Sequence, residues 1–339
     1  MDVLVCATQV PFMRGGLEML VENLVVALQA AGHRAEAVHL PAAWDQGRLL
    51  DAPVAWRMVP LDADVVITTN FPSYYARHPH KVVWLAHQHR AAYDGIGQSW
   101  SDFGLDDRSL EVQRQLTEWD ARALGEAERC YTIGRVVTDR LARYCGVAST
   151  PLHHPPPLAD RLHTGPFGDY VLGVSRLEAN KRPDLVVEGV LASRSGARGV
   201  MAGTGSLGGA LEHRLAQLRA LARVEMAGFV ADDDLVELMA GALAVVYPPY
   251  DEDYGYVTLQ AFLSGKPVIT TTDAGGVLEF VEDGVTGLVT DPTPAGIGAA
   301  IDRLAADPAL AERMGEAGRQ RAAALGWPTV VATLLGGHR

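Results

Sequence analysis

Between Tyr247 and Pro267 the chain reads YPPYDEDYGYVTLQAFLSGKP, a run that brings together carboxylates, a glycine and the start of a helix. VVYPPY ends an apolar strand, Asp251, Glu252 and Asp253 follow at its carboxyl end, and Gly255 lets the backbone turn into a helix that opens at Tyr256, Val257 and Thr258. The N–H groups of Val257, Thr258 and Leu259 are expected to point outward at the positive end of the helix dipole, where a diphosphate docks without any basic side chain. Glu252 would share that space. The plainer reading of the segment is an acidic surface loop followed by a buried helix.

Two cations stand just past an earlier strand. In VLGVSRLEANKRPDL, Arg176 and Lys181 are separated by four residues, and both can reach one diphosphate. The chain holds only three lysines, Lys81, Lys181 and Lys266, within a total of 29 Lys and Arg. A lysine kept in this arginine-dominated chain is expected to do what a planar guanidinium does not, and Lys266 is read as structural. KVVWLAHQHRAAYD sets His87 at a strand end, with His89 on the same face by period-two alternation and Arg90, Tyr93 and Asp94 in the turn beyond. The two histidines lack carboxylates at metal-binding spacing, so no metal site is expected. Gly15 and Gly16 follow the first strand and open a helix, which permits close approach to a phosphate, although G-x-G-x-x-G is absent.

Strands and helices that could carry these groups alternate along the whole chain. DVLVCATQV, AEAVHL, ADVVITTNF, HKVVWLAHQH and YTIG read as strands of a first half, with helices at LEMLVENLVVALQAAGH, LEVQRQLTEWDARALGEAERC and RVVTDRLARYCG. YVLGVS, RGVMAG, RVEMAGFV, LAVVYP, KPVITT and GLVTD repeat the pattern in a second half. Between them HHPPPLADRLHTGPFGD is proline-dense and strandless, as a hinge is. Strands that are apolar throughout imply parallel sheets covered on both faces, and ligands of such sheets sit beyond the carboxyl ends of the strands. The domains are placed at 1–160 and 161–326, with the last helix, about 327–339, packing back on the first domain.

With 339 residues, 48% of them hydrophobic and 21% charged, the chain has material for two cores. A net charge of −12 argues against nucleic acid and against an anionic membrane surface as partners. MDVLVCATQVPF is too short and too poor in positive charge for a signal peptide, and no long apolar run follows, so a cytoplasmic protein is expected. Cys6, Cys130 and Cys145 show no paired or metal-type spacing and are read as reduced thiols. Trp56, Tyr74, Tyr75, Tyr93 and Trp100 either stack on a sugar ring or an apolar aglycone, or belong to the core.

The segment from Glu252, with its Tyr-Gly pair, helix and a polar residue eight positions on, resembles the signature of the retaining glycosyltransferases of family 4. That family has a second Glu where this chain has Gln260, at the place that grips the nucleotide ribose. Arg176 with Lys181, MAGTGSLGG, MAGFVADDDL and TTDAGGVLEFVEDGVTGLV are similar to further family motifs. The resemblance implies a GT-B fold, two Rossmann-like α/β domains with parallel sheets facing a central cleft. It implies Arg176, Lys181, Glu252 and His87 as catalytic residues, the first two neutralising the leaving phosphates. Gly15, Gly16, Gly203, Gly205, Phe229, Val230, Tyr256, Val257, Thr258 and Gln260 would then bind the sugar donor, with the backbone at Phe229 and Val230 holding the base. Glu18, His89, Arg90, Tyr93 and Asp94 are placed on the acceptor side.

The activity so implied is transfer of a sugar, with retained configuration, from a nucleotide-diphosphate sugar to a small soluble acceptor such as a natural-product intermediate, without a metal or other cofactor. A nucleotide-sugar epimerase of the same fold and a catalytically silent binding subunit are the alternatives. The silent subunit is suggested by Gln260, and the retention of Glu252, Arg176, Lys181 and His87 speaks against it. A nicotinamide-dependent dehydrogenase lacks its fingerprint here.

Overall fold

The computed structural model describes residues 1–12, 14–42, 44–98 and 101–337. It divides into two units, Met1–His154 with Gly326–Arg339, and Pro155–Leu325.

In the first unit the strands β1 (Asp2–Gln9), β2 (Arg34–Pro41), β3 (Val65–Asn70), β4 (Lys81–His87), β5 (Arg129–Thr132) and β6 (Thr150–Pro151) pair in parallel in the order β2-β1-β3-β4-β5-β6. The helices are α1 (Gly16–Ala30), α2 (Asp51–Met58), α3 (Asp107–Gly125) and α4 (Arg135–Cys145), with the chain's last helix, Trp327–Leu335, added from the far end of the sequence. Leu20, Leu24 and Leu28 of α1 recur every fourth residue and are buried, the stripe a helix needs to lie on a sheet. The sheet beneath is covered on both faces: β3 is buried at every position and β4 at all but His87. Trp84, His154 and Trp327 meet edge-on or tilted at 5.1–6.2 Å and tie the last helix to β4.

In the second unit β7 (Tyr170–Val174), β8 (Arg198–Ala202), β9 (Val224–Gly228), β10 (Ala244–Val246), β11 (Val268–Thr271) and β12 (Gly287–Thr290) pair in parallel in the order β12-β11-β10-β7-β8-β9. The helices are α5 (Pro183–Ala192), α6 (Gly208–Gln217), α7 (Asp232–Gly241), α8 (Tyr256–Leu263), α9 (Pro294–Ala306) and α10 (Pro308–Ala323); the last helix of the chain is α11. Val171, Val187, Val246, Ile269, Ile297, Ile301 and Met314 are among the residues of one continuous core. Helix starts follow local chemistry: Thr293 accepts the Gly296 N–H at 3.1 Å with Pro294 in the first turn, and Asp307 accepts the Leu310 N–H at 3.0 Å ahead of Pro308. The strand order reverses between β7 and β10, and a parallel sheet gathers ligands at the carboxyl ends flanking such a reversal. Arg176 and Lys181 follow β7, and the acidic run follows β10.

Among the described residues no helix is long and apolar enough to cross a membrane. Cys6, Cys130 and Cys145 are free thiols, and burial pushes all three up to about 12.

Candidate functional site

At the reversal in the second unit, Lys181 and Glu252 meet. The ammonium donates to Glu252 Oε2, and both side chains are largely buried, at 13% and 18% exposure. The Tyr247 hydroxyl donates to the same carboxylate oxygen at 3.2 Å. Burial, reinforced by that carboxylate, holds the Tyr247 hydroxyl well above its ordinary pKa, so it remains a hydrogen-bond donor. Arg176 is exposed and forms no ion pair among the described residues, which leaves its charge available to an incoming anion.

Backbone packing fixes these loops. The loop after β7 lies directly against the turn after β8: Ser175 N–H reaches Ala202 O at 3.2 Å, and Leu177 N–H reaches Thr204 O at 2.9 Å. At Gly203, where φ is +137°, a Cβ would stand 1.8 Å from Ser175 O, and at Gly205 it would stand 2.5 Å from Leu177 O. These two glycines are therefore demanded by close approach of the Arg176 loop. On the other flank Glu252 bridges Gly275, with Glu252 N–H on Ala274 O at 3.2 Å and Gly276 N–H on Glu252 O at 2.6 Å. A Cβ on Gly275 would come within 2.7 Å of the Glu252 backbone.

Helix α8 starts at Tyr256 behind Gly255, whose φ of +82° is left-handed. One sequence expectation needs correction there. The tight turn at Gly255 points its carbonyl at Thr258, whose N–H is taken up at 3.0 Å and does not face outward, while Val257 N–H has no partner among the described residues. Thr258 is fully buried with its hydroxyl unpaired, and burial raises the pKa of Tyr256. Gln260 is 7% exposed and donates its amide to Pro157 O at 3.2 Å, tying α8 to the segment that enters the unit. A carboxylate could not make that bond. Gln260→Glu is expected to cost about 2 kcal/mol by setting a buried charge against a carbonyl, lowering Tm by about 4–8 °C. An unchanged melting curve would show that the amide contributes nothing. Phe229 is 82% exposed just past β9 and, with Val230, lines a shallow hollow over α7.

In the first unit, Gly15 caps α1 and its N–H is taken by Glu18 Oε2 at 2.8 Å; Gly16 is the first helical residue. A carboxylate thus already occupies part of the helix start expected to take phosphate. His87 ends β4 half-buried, its Nδ1 3.1 Å from Gln88 O. His89 lies among Trp44, Phe71 and Phe103 at ring distances of 5.5–5.7 Å, and burial lowers its pKa to about 4. Arg90 pairs with Asp94 at 3.1 Å, and Asp94 also accepts from Arg140 at 2.8 Å. Tyr93 turns inward at 1% exposure, and its hydroxyl donates to Asp120 at 2.5 Å, as does that of Tyr75. Asp120, which sequence reasoning missed, is fully buried, and that burial raises its pKa to about 6 against the two tyrosine hydrogen bonds. Trp56, Tyr74 and Tyr75 are core residues; Trp100 lies outside the described residues.

Residues 168–321 match the family described as glycosyl transferases group 1. The second unit belongs to that family. The D-inositol 3-phosphate glycosyltransferase of Frankia alni is 32% identical over 187 residues, covering 51% of this chain and 45% of that protein. The chain spans less than half the length of the curated relatives it matches. Among solved structures, sucrose-phosphate synthase from Thermosynechococcus elongatus gives a TM-score of 0.78 at 17% identity, covering 98% of this chain and 97% of that one. HepE of Anabaena, solved in complex with UDP and glucose, gives 0.74 at 18% identity, covering 98% of each chain. The fold is thus of the GT-B type, with two Rossmann-like α/β units. Within the group 1 glycosyl transferase unit, Arg176, Lys181, Glu252 and the start of α8 all lie at the carboxyl end of the sheet, and Tyr247 is the neighbour missed in the sequence. Its place at the end of an apolar strand gave it the look of a core residue.

Proposed function

We propose that this chain is a nucleotide-sugar-dependent glycosyltransferase of family 4 that retains anomeric configuration. The donor is held by the Pro155–Leu325 unit, and a small soluble acceptor is recognised through residues of the first unit. The observation that carries the reading is the buried Lys181–Glu252 pair at the strand-order reversal, beside Tyr247 and with Arg176 uncommitted. The match to group 1 glycosyl transferases and the UDP complexes of HepE support it.

In this reading Arg176, Lys181 and the Val257 N–H take up the charge that builds on the leaving diphosphate. Fixed donors aimed at developing charge are the largest single source of rate acceleration in such sites. Glu252 orients Lys181 and accepts sugar hydroxyls. The leaving phosphate oxygen receives the acceptor proton on the same face of the sugar, so no protein base is needed and configuration is kept. The enzyme works in the cytoplasm, and its acceptor is a natural-product intermediate.

Thermal-shift screening against nucleoside diphosphates tests the donor half directly, because a ligand that binds only the folded state raises Tm by mass action. UDP or another nucleoside diphosphate at about a hundred times its Kd is expected to add about 2.7 kcal/mol, several degrees for a unit of this size. Absence of any shift across all bases at millimolar ligand would end the donor assignment.

A further inference from the structure

Arg182 follows Lys181 in a backbone conformation that side chains rarely adopt, with φ 49° and ψ 50°. Glycine takes such angles freely, and a β-carbon there is strained. The side chain makes a pair of parallel bonds to Asp273, Nη1 to Oδ1 at 2.8 Å and Nη2 to Oδ2 at 2.7 Å, and lies 5.0 Å above the ring of Tyr250. Asp273 also accepts from Thr271 Oγ1 at 2.9 Å, and the guanidinium holds its carboxyl below the usual carboxylate range. Arg182 follows β7, Tyr250 follows β10 and Asp273 follows β11, so one guanidinium fastens three loops. Backbone bonds run in the same places, from Tyr250 N–H to Asn180 O at 2.8 Å and from Asp251 N–H to Asp273 O at 2.9 Å.

We propose that Arg182 is a positioning residue, whose clamp on Asp273 and Tyr250 holds the Lys181 loop in register with Glu252. Its backbone strain is maintained by the side-chain contacts, and a flexible residue at this position would let Lys181 move off the carboxylate. The clamp deepens the donor reading by naming what sets the geometry of that site, and its first test does not depend on that reading.

The chain's three lysines make the test specific. Lys81 and Lys266 are buried, and each donates to two backbone carbonyls, so they report on unfolding, while Lys181 reports on the clamp. Acetylation by acetic anhydride, followed by mass spectrometry, is compared in the wild type, Arg182→Gly and Asp273→Asn. Gly suits the left-handed backbone, and Asn keeps the size of Asp273, so one variant stands in if the other folds poorly. We expect Lys181 to react faster by about threefold or more in both variants, as its amine moves off Glu252 and becomes accessible to the reagent, with Lys81 and Lys266 unchanged. The double variant is expected to react no faster than either single one, because the two residues act as one pair. UDP affinity is expected to fall by about fivefold in each variant. Lys181 reacting at the wild-type rate in a folded variant would overturn the clamp. A faster Lys181 together with no UDP binding by the wild type would support the clamp and overturn the UDP-donor reading instead.

Discussion

Lys181→Ala is expected to lower the rate of sugar transfer by about 10²–10³-fold while leaving the fold intact, the loss seen when one fixed donor to developing charge is removed. The residue is well placed for such an effect. Its ammonium is largely buried against Glu252, so its charge meets little competing water, and electrostatic interactions are stronger there than at the surface. Arg176 is exposed and faces more screening, so Arg176→Ala should cost less than Lys181→Ala if both contact the diphosphate. The fold should tolerate the loss, since removing Lys181 leaves Glu252 bonded to Tyr247 through its side chain and to Ala274 and Gly276 through its backbone. Donor-consumption rates, with circular dichroism as the control for folding, check this. A folded Lys181→Ala enzyme turning over within about threefold of the wild type would remove Lys181 from the chemistry.

Much of the architecture was legible because parallel strands buried on both faces leave continuous apolar runs in the sequence. VVIT of β3 and KVVWLA of β4 are examples. Helix α2 was not, since DAPVAWRM is short, carries an internal proline and shows little periodicity; only the buried Ala52, Pro53 and Trp56 make it an element. LAVVYP reads as a longer strand than β10, which stops at Val246 because the chain then turns to bring Tyr250 and Asp251 against the neighbouring loops. Of the candidate site, Arg176, Lys181 and Glu252 could be read from their types and spacing. Their mutual arrangement could not, because it depends on Arg182 meeting Asp273 across 91 residues of sequence. In the first unit, too, the internal partners of the polar residues are not visible in the sequence. Arg90, Tyr93 and Asp94 have the polar character of ligand contacts, yet they are committed to Asp94, Asp120 and the pair Arg90 and Arg140, respectively.

The scarcity of lysine has a physical reading of its own. Lys81 donates to Tyr74 O and Ala123 O at 3.0 and 2.7 Å, and Lys266 donates to Gly165 O and Pro166 O at 2.8 and 3.0 Å while lying 3.9 Å over the ring of Phe167. Both are fully buried, and burial lowers both to about 8. A compact ammonium gathers carbonyls in a space too small for a planar fork. The three positions that keep lysine are therefore the ones where its shape is used: Lys81 adds the Glu126 carboxylate at 3.5 Å to its two carbonyls, and Lys181 is bonded to the Glu252 carboxylate.

That pairing leads to a second large effect, in Glu252→Gln. The carboxylate neutralises the cation expected to meet the diphosphate. Glutamine has nearly the same shape, and its carbonyl oxygen can accept from both Lys181 and Tyr247, so the arrangement survives while the negative charge is lost. Two consequences of opposite sign follow. The nucleoside diphosphate should bind more tightly, by about tenfold, because a nearby like charge is gone and Lys181 presents its full charge. Turnover should nonetheless fall by about 10²-fold or more, since positive charge gathering on the sugar in the transition state loses the carboxylate that steadies it. Tighter product and slower chemistry in the same variant separate this role from simple loss of structure, which would weaken both. Calorimetric titration with UDP beside single-turnover rates reads the two effects independently. Weaker UDP binding together with unchanged turnover would assign Glu252 to the architecture of the loop alone.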